Sequence, residues 1–241
     1  MSETIPLRER IILALDVERP ELAKAWVERT EEAIGFYKVG LQLFLAGWFD
    51  TVEWIAKRGH KVMLDLKLFD IPETVKLAVR QLNGRGVCLA TVHGQPPIIR
   101  AAVEAKGDVK LLAVTVLTST GEEDLRAEGM TGTIAELVDL RARQALELGC
   151  DGVVASGHEA ARLRAGLGQD FLIVTPGIRP ADHNGQDDQT RVMTAGRAIA
   201  NGADHVVVGR PITRAAEPLA VIRAMQAEIA AAVGKNREPH F

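Results

Sequence analysis

The chain has 241 residues, 47% of them hydrophobic and 25% charged, with a formal net charge of −3. This composition supports one sizeable buried core, and we expect a single domain spanning residues 1–241. The basic residues are scattered, which disfavours nucleic-acid binding, and no run approaches the roughly 18 apolar residues of a membrane span. The N-terminus has no apolar signal segment, so we expect a cytoplasmic location and no membrane partner.

Short hydrophobic runs alternate with longer helical stretches along the chain. In order, the predicted strand and helix pairs are 11–17 and 21–33, 36–40 and 43–59, 61–67 and 73–86, 87–94 and 98–107, 109–118 and 133–149, 151–157 and 158–166, 171–178 and 188–202, and 204–209 and 214–232. The strands are almost continuously apolar, which is typical of parallel strands covered on both faces. Eight such units favour an α/β fold of the closed (β/α)₈, or TIM, barrel type over an open sheet.

Charged residues interrupt the predicted strands near their carboxyl ends. Asp16 ends the first strand, Lys38 lies in the second, and Asp65 and Lys67 end the third, with Asp70 in the following loop. The carboxyl ends of barrel strands meet at one face, where barrel enzymes carry their active sites. Asp65 and Lys67 are two residues apart, so an extended strand would direct both side chains to the same face.

An alternating row of aspartates and lysines has two interpretations. Each pair alone is most simply a salt bridge at the barrel mouth, but several ions in one desolvated place are costly unless they are used. An unpaired aspartate beside a substrate carboxylate would disfavour the bound acid, and a neighbouring lysine could protonate the carbanion left behind. The row therefore indicates decarboxylation followed by protonation, without a cofactor.

Two glycine-containing loops predict a phosphate site. TPGIRP follows the seventh predicted strand and VVVGRPIT includes the eighth, and barrels commonly bind phosphate at these two loops. Gly209 allows the backbone to approach the ligand and Arg210 supplies charge. Ordinary turns also use such residues, but their occurrence at both expected loops favours a phosphorylated substrate.

Metal-ligand spacing is missing from the sequence. Cys88 and Cys150 lie far apart in the sequence, and neither belongs to a CxxC motif or a histidine-rich segment. We therefore expect neither a disulfide framework nor a zinc site. His93 ends the fourth predicted strand, where a role in orienting a loop is more plausible than one as a catalytic base. We therefore expect no metal.

The motifs together resemble those of the orotidine 5′-monophosphate decarboxylase family over essentially the whole length. The most specific is DLKLFDIPET, which matches the family pattern Asp-x-Lys-x-x-Asp-Ile-Pro-x-Thr. The other matches, in chain order, are LALDV with Asp16, FYKVG with Lys38, VLTS with Thr118, TPGIRP with Arg179, DDQ with Gln189 and VVVGR with Arg210.

The resemblance implies a role for each matching residue. Lys67 would protonate C6 of the pyrimidine after carbon dioxide leaves, Asp65 would lie against the departing carboxylate, and Lys38 and Asp70 would complete the charged array. The implied substrate-binding residues are Asp16 and Lys38 for the ribose hydroxyls, Thr118 for the pyrimidine edge, Pro176 beside the carboxylate, and Arg179, Gln189, Gly209 and Arg210 for the phosphate. Asp70 and Thr74 would come from the partner subunit of a homodimer. The family uses no metal or organic cofactor.

Three alternatives stay open. A sibling such as 3-keto-L-gulonate 6-phosphate decarboxylase or hexulose-6-phosphate synthase shares the motif but uses magnesium and has an acidic metal ligand where Lys38 stands. A phosphosugar isomerase would share the phosphate loops without needing the charged row. A ligand-binding barrel with inert salt bridges requires that the charges have no role.

Overall fold

A computed structural model describes residues 5–180 and 192–235 of the chain, which form eight strands and eleven helices within those ranges. The strands are β1 Ile11–Ala14, β2 Phe36–Gly40, β3 Lys61–Leu68, β4 Val87–His93, β5 Lys110–Val114, β6 Gly152–Val154, β7 Leu172–Thr175 and β8 His205–Val208. The helices are α1 Leu7–Arg10, α2 Pro20–Thr30, α3 Leu41–Lys57, α4 Pro72–Arg80, α5 Pro96–Val103, α6 Glu122–Ala127, α7 Ile134–Glu147, α8 Ala160–Leu167, α9 Ala195–Ala200, α10 Arg210–Thr213 and α11 Pro218–Lys235.

The strands form a closed barrel in sequence order, and every neighbouring pair is parallel. Closure comes from β8, which pairs with β1 through Ile11 opposite Val206 and Leu13 opposite Val208. The predicted (β/α)₈ barrel is confirmed. None of the described helices is long and apolar enough to cross a membrane.

Alternation along the strands divides the core into two parts. One cluster fills the barrel interior and consists of Ile12, Phe36, Met63, Leu89, Leu112 and Val174. The larger cluster lies between the strands and the helices and includes the intervening residues Leu13, Val39 and Leu64. Successive strand residues point to opposite faces, so the position two residues after an interior residue also points into the barrel.

Several predicted boundaries were wrong. β1 ends at Ala14, which places Asp16 just beyond the strand. The helix predicted over 188–202 is reduced, among described residues, to α9, which begins where the Thr194 side chain caps the N–H of Arg197. The helix predicted over 214–232 is α11, which begins only at Pro218, because proline disfavours helical backbone in the preceding residue. The short helix α10 lies before the predicted start.

Candidate active site

A cavity of about 280 Å³ opens at the carboxyl ends of the strands. Its floor includes Met63 of the interior cluster, together with Ala14, Val114, Val154 and Val207. The remaining lining is Asp16, Lys38, Asp65, Lys67, Val116, Leu117, Thr118, Ser119, Ala155, Pro176, Gly177, Arg179, Gly209, Arg210 and Thr213. The cavity therefore combines an apolar base with charged walls, as ligand sites of barrels do.

Most of the residues predicted for the site line this cavity. They are Asp16, Lys38, Asp65, Lys67, Thr118, Pro176, Arg179, Gly209 and Arg210. Asp70 and Thr74 do not line it in the single chain, and both are exposed. Asp70 Oδ1 accepts a hydrogen bond of 2.6 Å from the N–H of Ile71. Gln189 lies outside the described residues.

The charged residues form a connected row. Lys38 Nζ lies 2.9 Å from Asp16 Oδ1 and 3.6 Å from Asp65 Oδ2. Lys67 Nζ lies 3.0 Å from both carboxylate oxygens of Asp65. The two lysines differ in access, since the side chain of Lys38 is 9% exposed and that of Lys67 is 37% exposed. Lys67 is the lysine of the pair that a molecule in the cavity can reach more readily.

Asp65 is ionised although it is nearly buried. Burial disfavours the charged carboxylate, but the positive charges of Lys38 and Lys67 and the hydrogen bonds from Lys67 and Thr91 outweigh it, so the pKa of Asp65 is lowered. A fixed negative charge thus lies at the base of the cavity, held between two cations.

Lys67 has a backbone conformation that is rare for its residue type. Its φ angle is 48°, in the left-handed region, and the pairing of β3 with β4 shifts register between Leu64 and Leu68. The sequence predicted that an extended strand would direct Lys67 and Asp65 to the same face. Their side chains do meet, but through this irregular segment and not through a regular extended strand. Such a conformation costs about 1–3 kcal/mol and is typical of functional sites.

The predicted phosphate loops also line the cavity. Arg179 is buried, its N–H donates to Met193 O at 2.9 Å, and its Nη1 donates to Ile178 O at 2.8 Å. Arg210 begins α10 directly after Gly209. A Cβ atom on Gly209 would lie 3.8 Å from Asp16 Oδ2. Two arginines therefore line the same cavity as the aspartate and lysine row.

Sequence reasoning missed two residues that support the row. Thr91 of β4 is fully buried and hydrogen-bonds both to Asp65 and to the backbone of Lys67. Gly40 leaves room for the first ion pair, because a Cβ there would lie 3.0 Å from Lys38 Nζ and 3.1 Å from Asp16 Oδ1. Nothing in an apolar run such as VCLATVHG distinguishes a threonine that contacts ions from one that only packs.

His93 is placed as the sequence predicted, near the rim and beside a loop. Its ring stacks on Phe69, with centroids 4.3 Å apart, and Phe69 directly precedes Asp70. Burial, with a smaller effect from Arg141, lowers the pKa of His93. The stacking is consistent with a role in orienting the loop after β3.

A larger hollow of about 670 Å³ lies at the amino-terminal end of the barrel. Two of the aspartates that line it, Asp151 and Asp204, already have structural partners. Asp151 accepts from the N–H of Leu111 and pairs with Lys106, and Asp204 accepts from the N–H of Ile173 and pairs with Arg164. We therefore locate the chemistry at the carboxyl-terminal cavity, as the barrel architecture favours.

Residues 5–180 and 192–235 contain no group of three histidine, cysteine, aspartate or glutamate side chains arranged to hold a metal ion. Cys88 and Cys150, which line the amino-terminal hollow, are free. Burial raises the pKa of Cys88 to about 11 and that of Cys150 to about 12, so both thiols are protonated at neutral pH.

Comparisons with known proteins agree on one family. The family model described as "Orotidine 5′-phosphate decarboxylase / HUMPS family" matches residues 9–225. The chain is 49% identical over 229 residues to an orotidine 5′-phosphate decarboxylase of Methylococcus capsulatus, covering 95% of both chains. It is 50% identical over 227 residues to the enzyme of that name from Rhodopseudomonas palustris strain BisB5, covering 93% of this chain and 96% of the relative. The crystal structure of orotidine 5′-phosphate decarboxylase from Lactobacillus acidophilus matches with a TM-score of 0.80 and 35% identity, covering 92% of this chain and 99% of that one.

Proposed function

Because the chain belongs to the orotidine 5′-phosphate decarboxylase / HUMPS family, we propose that it converts orotidine 5′-monophosphate to UMP and carbon dioxide, with Lys67 and Asp65 at the reacting carbon. The overall reaction, a carboxy-lyase step of pyrimidine biosynthesis, is supported by that membership and by the names of its relatives. The roles of individual residues are supported chiefly by one observation: Lys67 Nζ lies 3.0 Å from both oxygens of Asp65, in a cavity that two arginines also line.

The distribution of charge indicates how the substrate would lie. Its phosphate would bind at Arg179, Gly209 and Arg210, where the cavity carries positive charge and a close-approaching backbone. The base would then extend toward Asp65 and Lys67, with Thr118 and Pro176 along its edge. Lys38, held by Asp16, would reach the ribose hydroxyls, and Asp16 would accept a hydrogen bond from them.

The buried charge of Asp65 supplies a reason for carbon dioxide to leave. Two like charges about 4 Å apart at an effective dielectric constant of about 20 repel by about 4 kcal/mol. Asp65 is not unpaired, in contrast to the expectation from the sequence, so a substrate carboxylate beside it would feel this repulsion reduced by the attraction of Lys38 and Lys67. Loss of neutral carbon dioxide would remove the repulsion. The pair of electrons from the broken C–C bond would stay on C6 as a carbanion.

Lys67 would then donate one of its ammonium protons to C6, forming the C–H bond of UMP. The ammonium group also stabilises the developing negative charge before transfer, because it lies beside the reacting carbon in a partly desolvated cavity. Lys67 is left neutral and regains its proton from solvent, for which its partly exposed side chain is suited.

The homodimer is part of the proposal. Asp70 and Thr74 are exposed in the single chain, and apolar side chains surround them: Phe69 is 58% exposed and Ile71 is 70% exposed. Further exposed apolar residues lie on α3, at Leu41, Leu45 and Trp48. Apolar exposure of this kind is typical of an interface, and a second subunit there could receive Asp70 and Thr74 at its own cavity. The cytoplasmic location stays a prediction.

The magnesium-dependent siblings are the nearest alternative, since the family model includes them. Lys38 argues against that chemistry because its ammonium lies between Asp16 and Asp65, the two carboxylates that would have to approach a cation. A positive charge at this point disfavours a divalent metal electrostatically.

The test compares substrates with and without metal. Purified protein is assayed with orotidine 5′-monophosphate by loss of absorbance, in excess EDTA and again with magnesium. We expect turnover that EDTA leaves unchanged and no activity toward 3-keto-L-gulonate 6-phosphate. Activity that appears only with magnesium and the sugar phosphate would instead establish the sibling function.

A further inference from the structure

Thr91 connects the two residues of the reacting pair. Its hydroxyl accepts a hydrogen bond from the backbone N–H of Lys67 at 2.9 Å and donates one to Asp65 Oδ1 at 2.9 Å. Thr91 is 0% exposed. A hydroxyl has one proton to donate, and here that proton is directed to the carboxylate while an oxygen lone pair receives the Lys67 N–H.

The barrel pattern explains why Thr91 reaches the pair. Leu89 belongs to the interior cluster and pairs with Met63, also of that cluster. Two residues further along each strand, Thr91 and Asp65 therefore point into the same space. The pairing of β3 with β4 becomes irregular between Leu64 and Leu68, so the Lys67 N–H bonds to a side chain instead of a strand carbonyl.

The backbone of Lys67 needs such a partner. A lysine at φ 48° is strained, and strain of this kind persists only where neighbouring contacts enforce it. The bond from the Lys67 N–H to Thr91 restrains that backbone, and the second bond restrains the carboxylate that Lys67 Nζ contacts. One hydroxyl thus restrains both the backbone from which the Lys67 side chain extends and the carboxylate that its ammonium group contacts.

We propose that Thr91 is a positioning residue for the decarboxylation: its hydroxyl holds Lys67 and Asp65 in register so that the ammonium proton is directed at C6. The inference rests on the proposed function. Thr91 does not line the cavity, so it acts through the pair and not on the substrate.

The experiment compares Thr91→Val, which keeps the shape but loses the hydroxyl, with Thr91→Ser, which keeps the hydroxyl. The matched control is Thr115→Val, because Thr115 is also buried, follows the adjacent strand β5 and donates its hydroxyl to Val154 O at 2.9 Å. The readouts are kcat and KM for orotidine 5′-monophosphate, Kd for UMP, and folding by circular dichroism.

We expect Thr91→Val to lower kcat by about 10- to 100-fold, the effect of losing hydrogen bonds to a charged pair, while KM and the UMP Kd stay within about threefold. Thr91→Ser should keep kcat within about threefold of the wild type, and Thr115→Val should match the wild type. A misplaced proton donor affects kcat more than binding, whereas general loosening of the barrel would affect both.

Two results would overturn the inference alone: wild-type kcat in Thr91→Val, or an equal loss in Thr91→Ser, which would assign the effect to packing of the methyl group. If Thr91→Val does not fold, Thr91→Ala replaces it and must show the same loss while Thr91→Ser does not. A wild-type protein with no activity toward orotidine 5′-monophosphate would overturn the proposed function, and this inference with it.

Discussion

At the scale of single residues, the site depends on a carboxylate that is charged and nearly buried. Asp65 contacts Lys38, Lys67 and Thr91 within 3.6 Å, and its pKa is lowered despite burial. The unfolded carboxyl has a pKa of about 3.9, so the contribution of Asp65 to stability is complete above that value and is lost as pH falls toward the lower folded pKa. Asp65 therefore stays ionised at neutral pH.

The predicted phosphate loops give a testable expectation about one arginine. Arg210→Ala should lower kcat/KM for orotidine 5′-monophosphate by about 10- to 100-fold, because a charge-assisted hydrogen bond to phosphate is lost. The same change should leave the slow reaction of orotidine, which has no phosphate, unaltered. Arg214→Ala, one turn further along in an exposed position, is the control and should match the wild type with both substrates. An equal loss with orotidine would show that Arg210 does not act through the phosphate.

Residue identities in the site were predictable where charge interrupts an apolar strand. Asp16, Lys38, Asp65 and Lys67 stand out for that reason, and all four line one cavity. Thr91 was not predictable, since threonine is common in buried strands and its role depends on the left-handed backbone of Lys67. That conformation results from the tertiary pairing of β3 and β4, which no local pattern encodes.

At the scale of elements, the end of β3 and the loop after it connect the cavity to the surface. Lys67, near the end of β3, lines the cavity, whereas Phe69, Asp70 and Ile71 of the loop are exposed. The kink in α3 at Trp48, where φ is 45°, exposes another large apolar side chain. Both features suit a surface that packs against a second subunit.

Mixing two inactive variants tests whether the site is shared. Lys67→Ala and Asp70→Ala should each be inactive alone. After unfolding and refolding together in equal amounts, half of the dimers are mixed, and each has one site with both residues intact, so activity should recover to about one quarter of the wild type. If Asp70 acts within its own chain, the mixture should stay inactive. Refolded Lys67→Ala alone and wild type alone are the controls.

The boundaries of elements were less predictable than their existence. The start of α11 at Pro218 could have been predicted, because proline at a helix start is common and restricts the residue before it. The kink at Trp48 could not, since its left-handed φ is unusual for an aromatic residue. Helix α9 begins later than predicted, directly after Thr194, whose side chain caps the N–H of Arg197.

At the scale of the whole molecule, the barrel follows from eight apolar runs and a composition able to cover both faces of a parallel sheet. Strand count and order were therefore readable from the sequence. One folded chain cannot show whether Asp70 and Thr74 complete the active site of a second subunit. That role stays a prediction, based on the family resemblance and on the exposure of both residues.

Stability should depend on pH through His205 at the amino-terminal end of the barrel. Burial lowers the pKa of His205, although its Nδ1 bonds to Glu9 O at 2.8 Å and Asp204 is nearby. As pH falls below about 6.5, the unfolded chain takes up this proton before the folded one, so the free energy of unfolding decreases, by at most about 1.4 kcal/mol per pH unit.

His205→Asn should make that pH dependence shallower, because asparagine can donate to Glu9 O but does not titrate. Denaturant unfolding from pH 7 to 5 measures the slope. The control is His158→Asn, which makes the same substitution at an exposed position and should leave the slope as in the wild type. An unchanged slope in His205→Asn would show that His205 does not contribute to the pH dependence of stability.

The central claim is that Lys67 supplies the proton at C6, and the most direct measurement compares two lysines of the same strand. Lys61 begins β3 at the amino-terminal end, where it pairs with Glu9, whereas Lys67 faces the cavity. In the presence of EDTA, we expect Lys61→Ala to decarboxylate orotidine 5′-monophosphate at the wild-type kcat and Lys67→Ala to lose at least about 100-fold, with UMP still bound. A Lys67→Ala protein that keeps wild-type kcat would contradict the claim.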